Sequence, residues 1–415
     1  MSAYRFLRVP VGVPTISTEY REILTAIPAP GTEEILARLD AVESRSMHGQ
    51  LPIVWADAFD YSVNDIGGNE FLDFTSGIFV SNVGHGNLAV REAVEDVAFP
   101  HSYAYATEIR AAYLERLARW SGFDKAFLLS SGTEATEAAL KLMRLYGAKT
   151  GRRGIVCLAG AFHGRTMGAQ LLGAGGTWCG TDPDIFHLAP GSPMPEGVCG
   201  VMIEAFEGWS ARFHDAGMVF NLARYCWEND ILLCFDEMQS GFGRTGRKFG
   251  YEHYGVNPDL ICVGKGMGGG YSLSGVLGRA DVMDLPAVGE MSSTHGGNPV
   301  GSAAGLAVID EIERMDLVNE AARKGVVLQG ALCDLGLDNL STTTAVHGKG
   351  LIAAIHFKTA EFASRVAERC MQKGLLVVAT GRESIKIGPP LTIPDDALIE
   401  GVSVIAEAIS ELSKM

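Results

Sequence analysis

Asp259–Gly275 reads DLICVGKGMGGGYSLSG: an apolar run delivers one lysine, Lys265, into a turn with glycines at 264, 266, 268, 269 and 270. A lysine attacks an aldehyde carbon only as the neutral amine. Partial burial at a strand end favours that form, because desolvation penalises the ammonium. The glycines let the backbone pass close to a bulky ligand. Gly264, Gly266 and Gly269 also match the dinucleotide-binding pattern G-x-G-x-x-G. That pattern requires a helix straight afterwards, whereas GYSLSGVLG continues as a strand. A solvated lysine among surface glycines is the ordinary alternative.

Outward from this turn, apolar runs alternate with helical patterns. Strands are expected at Ala126–Leu129, Gly154–Leu158, Gly200–Ile203, Leu232–Phe235, Leu260–Val263 and Ser274–Leu277, with helices at Thr133–Leu145 and Ala216–Glu228. Solid apolar strands separated by helices imply an α/β fold whose mostly parallel sheet is covered on both faces. A long helix over Asn298–Met315 is expected to leave that domain, and short strands follow at Leu351–His356 and Leu375–Val378. At 415 residues the chain exceeds one ordinary core. Three parts are expected: an N-terminal segment, 1–67, joining a small α+β domain; a large domain, 68–316; and the C-terminal part of the small domain, 317–415.

Composition narrows the function classes. A formal charge of −15 argues against nucleic-acid binding and is compatible with a cationic substrate. No apolar run reaches the roughly 18 residues that span a bilayer. The opening MSAYRFLRVPVGVP has neither a signal-peptide core nor a transit-peptide bias, so a cytoplasmic protein is expected. Eight scattered cysteines form no CxxC pair and no zinc spacing. They read as buried free thiols, and no metal site is expected.

Four more segments carry chemistry. In ILLCFDEMQSGFGRTG, Asp236 ends an apolar strand, where a carboxylate can pair with a protonated ring nitrogen; Gln239 follows within reach of a phenolic oxygen. Ser131-Gly132-Thr133 joins a strand to a helix N-terminus, a natural phosphate cradle. Phe162-His163 offers an aromatic face, and Thr294, in STHGGNP, offers a hydroxyl. Each has an ordinary reading as well: a capping aspartate, an N-cap, loop packing, a turn.

Together and in this order, SGTEA, FHGRT, IEAFEG, FDEMQSGFGRTG, GKG and STHGGNP resemble the class III aminotransferases of fold type I, over nearly the whole chain from residue 68 to residue 396. The resemblance implies pyridoxal 5′-phosphate (PLP) held as a Schiff base on Lys265. It makes Asp236 the partner of the pyridinium and Gln239 a contact to the phenolic oxygen. Ser131, Gly132 and Thr133 would hold the phosphate, Phe162 or His163 would stack on the ring, and Glu204 would line the cofactor site. Thr294 would serve the neighbouring protomer, making a homodimer the minimal active unit.

The chain departs from the amino-acid-specific members at two linked positions. Those carry EPVQGEGG and R-x-x-PPL, with a Glu–Arg pair that gates the substrate carboxylate. Here the Glu position is Trp209 and the Arg position is Lys386. Lysine cannot reproduce the bidentate fork of arginine, whereas tryptophan supplies a flat wall suited to a sugar ring. Trp209, Glu207, Lys386 and Phe79 are the candidate substrate contacts. IEAFEGW with SGFGRTG resembles the 6′-aminotransferases of aminoglycoside biosynthesis in the gentamicin and neomycin pathways. The expected substrate is therefore an aminoglycoside 6′-aldehyde or 6′-amine. The alternatives are an ω-amino acid aminotransferase of ornithine or 4-aminobutyrate type, and a PLP-dependent epimerase acting on an amine-bearing carbon of an aminoglycoside.

Overall fold

A computed structural model describes residues 4–173, 178–334 and 342–414. Residues 1–3 of the N-terminal stretch read above lie outside the described residues. The chain divides into two units. One comprises Met1–Asn87, Trp209–Ala211 and Glu320–Met415; the other comprises Leu88–Gly208 and Arg212–Asn319. The boundary thus falls after Asn87, where the sequence suggested 67, and a three-residue excursion at Trp209 joins the first unit.

The second unit is built on seven strands: β1 (Lys125–Leu129), β2 (Gly154–Leu158), β3 (Ile185–Leu188), β4 (Val198–Glu204), β5 (Leu232–Asp236), β6 (Leu260–Val263) and β7 (Ser274–Gly278). Their order across the sheet is β1-β7-β6-β5-β4-β2-β3. β7 runs antiparallel to both neighbours and the remaining pairings along the β6-to-β3 stretch are parallel. The expected mostly parallel sheet is present, with β3 as an additional strand. Its sequence IFHL has partly exposed residues and lacks the solid apolar run of its neighbours.

Helix α1 (Glu108–Ser121), helix α2 (Gly132–Ala148), the short helix α3 (Met167–Leu172), helix α4 (Ala216–Glu228) and helix α5 (Pro299–Arg314) belong to the same unit. α2 lays Ala135, Ala139, Leu142 and Met143 against Ile155, Cys157, Met202, Cys234 and Cys262 of the sheet. The small residues bring the helix close, and glycines bring it closer still. A Cβ on Gly147 would lie 2.4 Å from the Cβ of Cys199 and 2.5 Å from the carbonyl oxygen of Arg152. α5, inside the large domain as its expected bounds had it, packs against α1. Asn298 caps it by accepting from the N–H of Gly301, and Pro299 fills the first turn, where no N–H is needed.

The first unit holds a six-stranded sheet and a four-stranded sheet. Leu375–Val378, expected as one strand, is two: Leu375–Leu376 pairs parallel with Glu70–Asp73, while Val378–Ala379 pairs with Ser384–Ile387 in the other sheet. The break lets one segment serve both sheets. Ser76, Gly77, Ile78 and Phe79 form a left-handed turn with φ of 48°, 60°, 67° and 66°. Such a conformation costs roughly 1–2 kcal/mol per non-glycine residue, so it needs support. Thr75 Oγ1 accepts from the N–H of Gly77 at 3.0 Å, and Ser76 Oγ donates to the carbonyl of Gly388 at 2.6 Å. Among the described residues, no helix is long and apolar enough to cross a membrane.

The crowding at Gly147 gives a test of the helix–sheet distance. Gly147→Ala adds helix propensity, worth about 1 kcal/mol, yet forces overpacking against backbone and a short side chain, worth roughly 1–3 kcal/mol. We expect a net loss of stability, read as a lower denaturant midpoint with unchanged slope; an increase would show that the helix stands off the sheet.

Candidate active site

Parallel strands bring their last residues to one edge. The register sets Asp236, the end of β5, beside Glu204, the end of β4, and beside Cys262 of β6. Lys265 follows two residues after the end of β6. At the other side of β7, Leu129 pairs with Ser274, so Ser131, Gly132 and Thr133 leave β1 at the same edge. The lysine, both carboxylates and the helix N-terminus are therefore gathered by topology alone.

Asp236 is buried, and a buried carboxylate needs partners. His163 supplies one, with Nδ1 at 2.8 Å from Oδ2; the N–H of Met238 supplies the other, donating to Oδ1 at 3.0 Å. Burial pulls the His163 pKa down, but the hydrogen bond and charge of Asp236, with the charge of Glu204, outweigh it and the net shift is upward. Nε2 of His163 is buried without a hydrogen-bond partner among the described residues. Of the two rings expected as alternatives for stacking, Phe162 or His163, the His163 ring is bonded to Asp236. Phe162 keeps an exposed ring, with the Arg165 guanidinium 5.3 Å from its centroid.

Burial lowers the pKa of Lys265, and the charges of Asp236 and Glu204 oppose that shift without cancelling it. Its φ of 46° places it in the left-handed region, uncommon for a residue with a side chain. Such strain, on the order of 1–3 kcal/mol, is typical of functional positions. Glu204 Oε2 accepts from the N–H of Phe162 at 3.1 Å. A Cβ on Gly208 would lie 2.5 Å from Glu204 Oε1 and 2.6 Å from Gln239 Nε2, so a glycine is required where these two side chains approach.

Helix α2 begins at Gly132, where the first N–H groups have no carbonyl partner within the helix and favour an anion. Glu134 reaches back, accepting from the N–H of Ser131 at 2.7 Å and from its hydroxyl at 2.8 Å. Three contributors escaped the sequence reading. Met238 lies between Gly132 and Gly264: a Cβ on either glycine would meet its sulfur at 2.8 Å. Ser272 Oγ donates to the carbonyl of Ser130 at 2.8 Å, and Ser274 Oγ to that of Ser131 at 2.7 Å. Ser272 lies just before the strand and Ser274 begins it, and this spacing of two is the one signal that could have revealed them.

Thr294 lies on an exposed segment, its carbonyl 2.8 Å from Nε2 of His101. Glu207 sits in a two-stranded ribbon, with an oxygen 3.4 Å from Nη2 of Arg212, so part of its charge is already matched. The remaining candidates belong to the first unit. The Trp209 ring meets His356 edge-on at 5.5 Å and carries the Arg382 guanidinium 5.2 Å from its centroid. Lys386 is buried, its Nζ 4.5 Å from the centroid of the Phe79 ring. Among the described residues, no cluster of histidine, cysteine or acidic side chains is arranged to hold a metal ion.

A model of the family described as aminotransferase class-III matches residues 44–177 and 184–409. The chain is similar to an acetylornithine aminotransferase of Caldanaerobacter subterraneus subsp. tengcongensis, 32% identical with 88% of this chain and 96% of the relative covered. It is also similar to the 5-aminovalerate aminotransferase DavT of Pseudomonas aeruginosa, 31% identical over 92% of this chain and 99% of the relative. In fold it matches the crystal structure of an ornithine aminotransferase from Toxoplasma gondii ME49, with a TM-score of 0.86 and 23% identity, covering 92% of this chain and 96% of that one.

The opposing influences on Lys265 can be separated. Asp236→Asn removes a charge that raises the lysine pKa, so burial should act with less opposition and the pKa should fall further. The pH dependence of reductive methylation at Lys265, followed by mass spectrometry, should shift to lower pH in the variant. An unchanged profile would mean that Asp236 does not act on the amine.

Proposed function

The chain belongs to the class-III aminotransferases, and from that membership we propose that it moves an amino group between an amino donor and a carbonyl acceptor with PLP bound to Lys265. The observation that carries this reading is the meeting of a lysine of lowered pKa and a buried, doubly held carboxylate at one sheet edge.

The residues fit the cofactor. Phe162 exposes a ring face, α2 presents amides to a phosphate, and the lysine and the buried carboxylate stand at the same sheet edge. When bound, PLP supplies an electron sink for the pair released as a C–H bond of the substrate breaks. Asp236 holds the proton on the ring nitrogen, and His163 keeps that carboxylate aligned. Phe162 covers one ring face and excludes water from it. Lys265 Nζ, neutral once released, takes the proton from the amine-bearing carbon and returns it, acting as tether and general base in turn. The minimal active unit in this reading is a homodimer, with Thr294 serving the phosphate site of the neighbouring protomer.

The relatives support an ω-amino acid as donor, since their names specify acetylornithine and 5-aminovalerate. A second reading rests on Trp209 and Lys386. A half-buried tryptophan and a lysine over Phe79 favour an amino sugar bearing a 6′-carbonyl over a clamped carboxylate.

Two experiments test these readings. Borohydride reduction of the PLP-loaded enzyme should fix the cofactor on the peptide carrying Lys265, and Lys265→Ala should abolish transfer while retaining PLP noncovalently. Normal turnover in that variant would remove Lys265 from the role. For the substrate, the double change Trp209→Glu with Lys386→Arg should raise kcat/KM for 5-aminovalerate or acetylornithine relative to an aminoglycoside 6′-aldehyde. The relative shift should be about 1–3 kcal/mol, the worth of one or two polar or stacking contacts. A wild-type enzyme that turns over ω-amino acids efficiently and ignores amino sugars would retire the second reading.

A further inference from the structure

Glu137 and Thr166 have no place in the chemistry above, yet they converge on a residue that does. One face of α2 carries Thr133 and Glu137, four residues apart and therefore one turn apart. Thr133 Oγ1 and Thr166 Oγ1 are 2.7 Å apart, and Thr166 Oγ1 donates to Glu137 Oε1 at 2.6 Å. The same carboxylate oxygen accepts from the N–H groups of Gly168 at 2.8 Å and Ala169 at 3.2 Å. Thr166 N–H in turn donates to Thr133 Oγ1 at 3.2 Å.

Counting protons orients the chain. Thr166 has one hydroxyl proton, and the carboxylate, which has none, takes it. The contact between the two hydroxyls must then use the proton of Thr133, donated to Thr166. Thr133 therefore holds the 162–169 segment with its hydroxyl and presents its backbone N–H at the helix start. Two glycines make room for the arrangement. A Cβ on Gly164, at φ 134°, would lie 2.5 Å from Thr133 Oγ1, and one on Gly168 would lie 2.3 Å from Glu137 Oε2. The clamped segment includes Phe162 and His163, whose positions set the ring face and the Asp236 carboxylate.

We propose that Glu137 and Thr166 are positioning residues for the cofactor: through the Thr133 hydroxyl they lock the Phe162–Ala169 segment onto the N-terminus of α2, coupling the phosphate site to the ring site. This rests on the PLP reading above. Thr133 serves the phosphate through its backbone, and its hydroxyl serves the lock.

The test measures PLP affinity of the full-length enzyme, stripped of cofactor and retitrated with PLP, alongside the melting temperature of the stripped enzyme. Thr166→Val should weaken PLP binding about tenfold, the worth of one or two hydrogen bonds, and Thr166→Ser should restore it to within about twofold. Thr133→Val should cost a similar factor, and Thr133→Val with Thr166→Val should cost no more than the worse single change, since both break one chain of bonds. Glu137→Gln gives an independent readout, weakening PLP without removing either hydroxyl. If Thr133→Val weakens PLP while Thr166→Val and Glu137→Gln leave it within about twofold, the hydroxyl of Thr133 binds phosphate directly and the proposal is overturned. Multiplying losses in the double variant would overturn it as well. Failure of the wild-type enzyme to bind PLP at all would instead strike the function proposed above.

Discussion

The second unit depends on giving partners to one carboxylate at a buried strand end. Asp236 ends the middle strand of a sheet buried on both sides, and an unpaired charge there would cost several kcal/mol. His163 and the N–H of Met238 each take one oxygen, so the charge is matched and its direction is fixed. That choice constrains the neighbours. Once its ring is turned into the strand end, His163 leaves the exposed face to Phe162. Met238, whose amide holds the carboxylate, places its thioether between Gly132 and Gly264. A Cβ at either glycine would displace that thioether.

Lys265 meets the complementary requirement. Burial drives its amine toward the neutral form, but Asp236 and Glu204 pull the other way. The site is a balance in which the strand-end carboxylate raises the lysine pKa while burial lowers it. Desolvation wins, and the left-handed backbone at Lys265 is tolerated because flexible glycines flank it.

This division explains what a single sequence discloses. The strand ends at Asp236 and Lys265 are legible because solid apolar runs stop one or two residues before a lone polar group. Gln239 and Glu204 become neighbours only through Gly208 and the parallel register, which no local pattern encodes. The role of His163 is hidden in the same way: FHG does not say which ring turns inward, because the carboxylate that decides it lies 73 residues away. β3 escapes notice because an edge strand need not be uniformly apolar, and the split at Val377 escapes because two sheets share one short apolar run.

The unequal freedom of the two kinds of residue follows from their partners. Asp236 is fixed partly by a backbone amide, so a substitution there leaves an unpaired group, and a side chain at Gly132 or Gly264 would push on the Met238 thioether. Trp209 and Lys386 are held largely by side chains: Arg382 and His356 around the indole, Phe79 under the ammonium. A cation on an aromatic face retains part of the attraction of an ion pair, on the order of 0.5–2 kcal/mol, without a second charge. Here the indole of Trp209 faces the Arg382 guanidinium and the Lys386 ammonium faces the Phe79 ring. Such side-chain contacts can be exchanged in pairs, while the strand-end carboxylate and Lys265 stay where the sheet puts them.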